Sequence, residues 1–379
     1  MIDGPQVINS IFIGREPVAQ ITADDWERAA EAKLGAEAFG YIAGGAGAER
    51  TMAANREAFD RHRIKPRMLT GNVERDITVE VLGTPSAAPF FLAPIGVLSI
   101  AHPDAELAAA RAAAAMGIPF ILSSASSSSL EQIAEAMGDA PRWFQLYWVN
   151  DREIVASLVG RAAAAGYSAI VVTLDTLTLG WRPRDLRLAD LPFLSGQGCA
   201  QFFSDPVFRA KLDETPEENP LAAVVMMLAT FPNLGLTWDD LAWLRERTEL
   251  PLLVKGVLSA EDAGRATAIG VDGVIVSNHG GRQVDGAVAA LDALVEVRKE
   301  LPNGVVLMDS GIRTGADVLK AIALGADAVL LGRPYAYGLA VAGQAGVEAV
   351  IRNLAAEVDV TLALAGRRSV RELDRDFLA

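Results

Sequence analysis

VDGVIVSNHGGRQVDG, residues 271–286, is an apolar run that stops abruptly on a histidine, two glycines and an arginine. A short β-rich run bounded by glycines is the pattern of a strand buried on both faces of a parallel sheet. Its carboxyl end presents His279 and Arg282 from the first residues of the next loop. Gly280 and Gly281 give that loop the freedom of a tight turn, so both side chains can face one space. Imidazole titrates closest to neutral pH and suits a general base. The planar fork of arginine suits a carboxylate held bidentately. A base beside a carboxylate clamp is what oxidation of a 2-hydroxy acid needs. The plain alternative for this stretch is a packed histidine and a solvated arginine at a strand end.

Outward from this stretch the same pattern recurs. PFFLAP (89–94), PFILSS (119–124), RWFQLY (142–147) and AIVVTLD (169–175) precede it, as does LLVKG (252–256). VVLMDS (305–310) and AVLLGR (328–333) follow GVIVSN (273–278). Alanine-rich amphipathic segments such as DAELAAARAAAAMG and GADVLKAIALGA lie between most of them. Apolar runs alternating with helices predict an α/β chain folded as a (β/α)8 TIM barrel. No GxGxxG follows a first strand, which counts against a dinucleotide-binding sheet. Polar residues fall at one end of the runs: Gly96, Ser123, Gln145 with Tyr147, Thr173 with Asp175, Lys255, His279, Asp309 with Arg313, and Arg333. All strands of such a barrel open their carboxyl ends on one face, so one site drawing on every strand accounts for this placement.

The organisation expected is a single domain over 1–379, with N-terminal helices and a cap over 1–88, the barrel over 89–366 and a charged tail over 367–379. TADDWERAAEAKLGAEAFGYIAGGA reads as helix, with Thr22 or Asp24 as its cap and a glycine-rich stop near Gly44. The segment ending in DITVEVLG alternates like a small hairpin. The interval from Asp175 to Lys255 is far longer than its neighbours and predicts an insertion after the fourth strand, over 182–250. Its apolar piece, 221–231, is too short to span a bilayer. It reads as a lid helix or a subunit contact, with a membrane-surface contact as the lesser choice.

The chain has 379 residues and a formal net charge of −14, which argues against nucleic acid, whose phosphates it would repel. A local arginine pair can still bind a small anion. Cys199 is the single cysteine, so no intrachain disulfide forms and a reducing compartment is expected. The start MIDGPQVINS lacks a basic region and an apolar core, so no secretory signal is expected and the cytoplasm is the expected location. No membrane partner and no metal site are expected.

DSGIRTGADVLKAIALGADAVLLGRP, residues 309–334, carries glycines that lead from strand ends into helix N-termini, with Arg313 and Arg333 adding charge. That combination makes a phosphate site from backbone N–H groups and helix dipoles. Taken with SNHGGRQVDG and a lysine ending the fifth strand, it resembles the FMN-dependent 2-hydroxy acid oxidising family. FGYIAGGAGAERTMAANREAFDRHRIKPRML, LAPIG, FQLYW, TLDT…GWRPRDL, LLVKG and DSGIR carry that resemblance over nearly the whole chain.

The resemblance implies FMN as cofactor, a small 2-hydroxy acid and O2 as reactants, and a homo-oligomer, tetramer or octamer. His279 matches the active-site base and Asp175 the carboxylate that orients it. Arg182 and Arg282 match the pair that holds the substrate carboxylate, and Tyr41 and Tyr147 the tyrosines that contact substrate. Lys255 matches the lysine beside the flavin N1–C2=O region. Backbone at Pro94, Ile95 and Gly96 would face the ring. Ser123, Gln145, Thr173 and Ser277 would hydrogen-bond the cofactor, and Asp309 its ribityl chain. Ser310 and Gly311 would also contact the cofactor, and Gly332, Arg313 and Arg333 would hold its phosphate. Proton removal accompanied by transfer of two electrons, as hydride or through a carbanion, follows from this set.

Within the family the chain is most similar to the lactate 2-monooxygenase branch, on FGYIAGGAGAE, APIGV, PRWFQLYW, TLDT.TLGWRPRDL and LPFLSGQGCAQFFSDPVF. That branch converts lactate and O2 to acetate, CO2 and water, where an oxidase releases the 2-oxo acid and peroxide. Product residence time separates the two outcomes. The strand-four insertion is the expected cover, and Gly96 is expected to leave room near the flavin. Two rivals are an isomerase or lyase on a flavin or phosphate-ligand barrel and a noncatalytic scaffold. Neither needs Arg182, Arg282, His279 and both tyrosines together.

Overall fold

The computed structural model describes residues 3–14 and 18–379. Four helices open the chain: α1 (Gly4–Gly14), α2 (Ala23–Lys33), α3 (Ala36–Ala43) and α4 (Arg50–Asp60). The single helix expected over the α2–α3 segment is two, because Leu34 and Gly35 are both extended, with ψ of 153° and 161°. Thr22 is the cap, in a box completed by Asp25. A two-stranded hairpin follows, β1 (Val79–Val81) and β2 (Thr84–Ser86).

The eight apolar runs are the eight strands of a closed, all-parallel barrel. In chain order these are β3 (Phe90–Leu92), β4 (Phe120–Ser123), β5 (Arg142–Tyr147) and β6 (Ile170–Thr173), then β7 (Leu252–Val257), β8 (Gly273–Val276), β9 (Val305–Met308) and β10 (Ala328–Leu331). Closure is made by β10 pairing with β3, Val329 opposite Phe90. Helices α5 (Ala105–Met116), α6 (Leu130–Met137) and α7 (Arg152–Ala164) follow the first three strands. The interval after β6 holds α8 (Pro183–Leu188), α9 (Ala200–Phe203), α10 (Pro206–Arg209) and α11 (Pro220–Thr230) before α12 (Trp238–Arg245). Arg152 of α7 pairs with Asp240, and the Arg265 guanidinium lies 5.6 Å from the Trp238 ring, so α12 fills the slot of an ordinary barrel helix. The last three are α13 (Ala260–Ala268), α14 (Ala290–Glu300) and α15 (Gly315–Ala323), and α16 (Arg333–Leu364) closes the ring. Ser129, Asp151, Ser259 and Thr314 cap the helices that follow them by accepting from backbone N–H groups.

Strand alternation explains where the core and the site lie. Phe91, Ile121, Trp143, Val171, Leu253, Ile275, Leu307 and Leu330 fill the barrel interior, while their neighbours pack outward against the helices. The hairpin closes the amino-terminal end: Val81 joins the interior cluster and Thr84 accepts from the Trp143 indole at 2.9 Å. Two positions further along each strand the inward row becomes Ala93, Ser123, Gln145, Thr173, Lys255, Ser277, Asp309 and Gly332. A period of two therefore puts the polar residues in one layer at the carboxyl end. The expected charged tail is docked: Phe377 and Leu378 are buried, and the Lys65 N–H donates to the Phe377 carbonyl.

Among the described residues no helix is long and apolar enough to cross a membrane.

Candidate active site

A cavity of about 280 Å³ opens above that polar layer. Tyr41, Tyr147, Arg182, Lys255, His279, Arg282, Asp309, Arg313 and Arg333 line it, together with Pro94, Ile95, Gly96, Ser310, Gly311 and Gly332. Ser123, Gln145, Thr173 and Ser277 lie buried in its floor, and Asp175 stands behind His279. Neither His62 nor His102 lines it.

The floor is a connected hydrogen-bond network. Ser123 donates to Gln145 at 2.9 Å, and the Gln145 amide donates to Thr173 at 2.9 Å. The Lys255 ammonium donates to Ser277 at 2.9 Å and pairs with Asp309 at 3.1 Å. Burial opposes the lysine charge, but Asp309 and Asp175 outweigh it and hold the ammonium above its ordinary pKa. Lys255 is therefore a fixed cation at every physiological pH.

His279 sits in the left-handed region, φ 57°, with its N–H donated to Ser277 at 3.0 Å. Gly280 and Gly281 continue the turn at φ 64° and 75°, which only glycine tolerates without strain. The turn aims the imidazole at Asp175, with 2.8 Å between Nδ1 and Oδ1. An ionised carboxylate only accepts, so Nδ1 carries the proton and Nε2 keeps a free lone pair. Burial would raise Asp175, but His279 and Lys255 prevail and hold it down to about 2. Burial lowers His279, partly offset by Asp175. The imidazole is thus neutral and able to accept a proton at neutral pH. Thr176, which the sequence reading passed over, donates to Asp175 at 2.9 Å and lies 3.3 Å from Nδ1.

Four guanidinium groups share the cavity: Arg182, Arg282, Arg313 and Arg333. Among the described residues none of them pairs with a carboxylate within salt-bridge distance, and hydrogen bonds to neutral oxygens hold them instead. Arg282 donates to the Tyr41 and Gly44 carbonyls, and its guanidinium lies 5.1 Å from the Tyr41 ring. Arg333 donates to the Ile42, Gly280 and Gly44 carbonyls. Carbonyls at the C-terminal end of α3 thus receive both side chains, at the negative pole of its dipole. Burial, then Arg182, pushes Arg282 down to about 9, and burial pushes Arg333 down to about 10. Both remain charged at neutral pH. A cation drawn partly out of water with no carboxylate partner is costly, so the arrangement is built to receive anions.

One wall is apolar and comes from the insertion: Phe193, Leu228, Phe231 and Pro232. Tyr147 packs on Phe231 with ring centroids 5.6 Å apart. The apolar piece of the insertion was expected as a lid helix or a subunit contact, without these side chains being singled out. A signal was present in Leu228 and Phe231, which sit three residues apart and share a helical face. The expectation for Gly96 is corrected. A Cβ there would stand 2.9 Å from the Ala125 side chain and carbonyl, so the glycine answers close packing on Ala125 rather than leaving open room.

A sequence profile described as FMN-dependent dehydrogenase matches residues 30–379. The chain is 43% identical to L-lactate oxidase of Lysinibacillus sphaericus over 350 residues, 92% of this chain and 90% of that protein. It is 40% identical to glycolate oxidase of Spinacia oleracea, over 94% and 95% of the two chains. Among solved structures, mandelate oxidase superposes with a TM-score of 0.83 at 40% identity, covering 93% of this chain and 96% of that one.

Proposed function

Because the chain belongs to the FMN-dependent dehydrogenase family, an assignment that makes it an FMN-dependent 2-hydroxy acid oxidoreductase, we propose that it takes L-lactate and O2 to acetate, CO2 and water. The observation that carries the substrate class is the His279–Asp175 pair at 2.8 Å in one cavity with two arginines, Arg182 and Arg282, that lack carboxylate partners among the described residues.

The residues fit FMN. Arg313 and Arg333 offer two half-buried cations beside Gly311 and Gly332, a donor set suited to a phosphate. Asp309 and Ser310 suit the ribityl chain, and Pro94, Ile95 and Gly96 the ring face. Ser123, Gln145, Thr173 and Ser277 suit its polar edge, with Lys255 as the cation near N1. Bound there, FMN supplies the two-electron acceptor.

The chain's own residues do the rest. Arg182 and Arg282 fix the substrate carboxylate, and Tyr41 and Tyr147 contact the hydroxy acid. Nε2 of His279 takes the proton, and Asp175 stabilises the resulting imidazolium through Nδ1. Phe193, Leu228, Phe231 and Pro232 exclude water. Under that cover the oxo acid stays with the peroxide formed from O2, and loss of the carboxyl carbon as CO2 leaves acetate and water. A second reading, release of 2-oxo acid and H2O2, has its own support in relatives named as L-lactate and glycolate oxidases. Exposed Trp181 and Leu186, close to Arg182 in the chain, support assembly as a homo-oligomer, a tetramer or octamer. The single cysteine supports a cytoplasmic location.

Anaerobic mixing with a series of L-2-hydroxy acids is expected to bleach the flavin, fastest with L-lactate. In air, acetate is expected to match lactate consumed, with little free peroxide. Pyruvate and peroxide appearing one for one at initial rate would establish the oxidase outcome instead.

The base must be neutral to work, so kcat/KM is expected to fall as pH drops through the pKa of His279. Burial places that pKa below the ordinary imidazole value of about 6.5. A pH–rate profile whose acid limb turns above that value would contradict the assignment.

A further inference from the structure

Gln283 follows Arg282 directly, and its carboxamide joins the two loops that carry the reactive side chains. Nε2 donates to the Asp175 carbonyl at 2.8 Å and to the Thr178 carbonyl at 3.0 Å. Oε1 accepts from the Gly180 N–H at 3.3 Å and from Nη2 of Arg182 at 2.8 Å. Both donors and both acceptor sites of the amide are thereby used. The loop so held contains Asp175 and ends on Arg182, while Gln283 itself extends the turn that carries His279 and Arg282. The loops also touch through backbone. The Arg182 Nε donates to the Arg282 carbonyl at 3.0 Å, and a Cβ at Gly180 would come within 2.4 Å of that carbonyl. No side chain larger than hydrogen fits between them.

We propose that Gln283 is a positioning residue that sets the Arg182 guanidinium beside Arg282 and keeps its charge uncompensated for the substrate carboxylate. An amide oxygen can hold one edge of a guanidinium without neutralising it. A carboxylate at the same place would form an ion pair with Arg182 and compete with substrate. The demand on position 283 is therefore for a neutral acceptor that also donates twice, which glutamine meets and glutamate does not. The proposal rests on the reading of Arg182 and Arg282 as the carboxylate clamp.

The test uses the FMN-loaded enzyme and 2-hydroxyisobutyrate, a hydroxy acid with no hydrogen on its α-carbon, which binds without reacting. Its Kd is read from the perturbation of flavin absorbance, and KM and kcat are measured separately with the reacting hydroxy acid. Gln283→Glu is expected to retain FMN and to weaken both the Kd and KM about tenfold or more, since charge-assisted hydrogen bonds are the strong ones, with kcat changed much less. Gln283→Met keeps the length but removes all four hydrogen bonds. It is expected to lower kcat as well, because the loop bearing Asp175 loses its tether. A role limited to holding the fold would affect the two variants alike and would not split KM from kcat. Gln283→Glu binding 2-hydroxyisobutyrate as tightly as the unaltered enzyme would overturn the proposal while leaving the clamp intact. Failure of the unaltered enzyme to bind it would overturn the clamp and the proposal together.

Discussion

Replacing His279 with alanine is expected to leave FMN in place and to slow anaerobic flavin reduction by roughly 10²–10⁴-fold, the contribution of a positioned general base. The retention of cofactor follows from geometry. The hydrogen bond from His279 to the floor is donated by its backbone N–H to Ser277, and alanine keeps that donor. The loss follows from the shortage of substitutes. Thr176 lies beside the imidazole but its hydroxyl is no base at neutral pH, and Tyr147 is held well above the ordinary phenol pKa by burial and by the charge of Asp175. Asp175 would be left buried with no imidazolium to stabilise. Rapid-mixing absorbance of the variant with L-lactate reads the effect directly, and near-normal reduction would remove His279 from its role.

Arg282→Met is expected to lower kcat/KM roughly 30-fold to several thousand-fold. Removing one partner of a buried hydrogen-bonded charge pair costs about 2–5 kcal/mol. The loss should reside largely in binding, because the carboxylate is held equally in ground and transition states. Arg282→Lys restores the charge without the fork and is expected to recover only part of the loss. Anaerobic titration with L-lactate separates binding from reduction. A methionine variant with an unchanged half-saturation concentration would assign the carboxylate elsewhere.

The barrel was legible because strands buried on both faces read as unbroken apolar runs, and each of the eight runs became a strand. The inner polar layer was legible for a related reason, since two residues beyond each interior apolar residue stands the next inward one. Tyr41 was different. Nothing in its own helix distinguishes it from a packed aromatic, and only the resemblance of the surrounding stretch singled it out. The break at Leu34 and Gly35 was missed because apolar periodicity runs through it. The apolar wall was missed because α11 is hydrophobic almost all round. Its Ala223, Val224 and Met227 are buried while Leu221 and Val225 are exposed, and neighbours alone decide which face turns inward. Gln283 left no trace, since a neutral amide beside an arginine looks like solvated loop until two loops roughly 100 residues apart are brought together.

The carbonyls at the end of α3 belong to the first fifty residues, yet they meet Arg282 and Arg333 across sequence separations of 241 and 291. Contacts that distant close long loops, and the entropy of closing them is lost before the contact repays it. Barrel closure, Val329 opposite Phe90, is as distant a contact, so the pocket is complete only when both the ring and the N-terminal helices have closed. The same connection works in reverse. Any anion that neutralises these arginines strengthens the clasp between the chain's beginning and its end, and raises the barrier to local opening of the N-terminal helices.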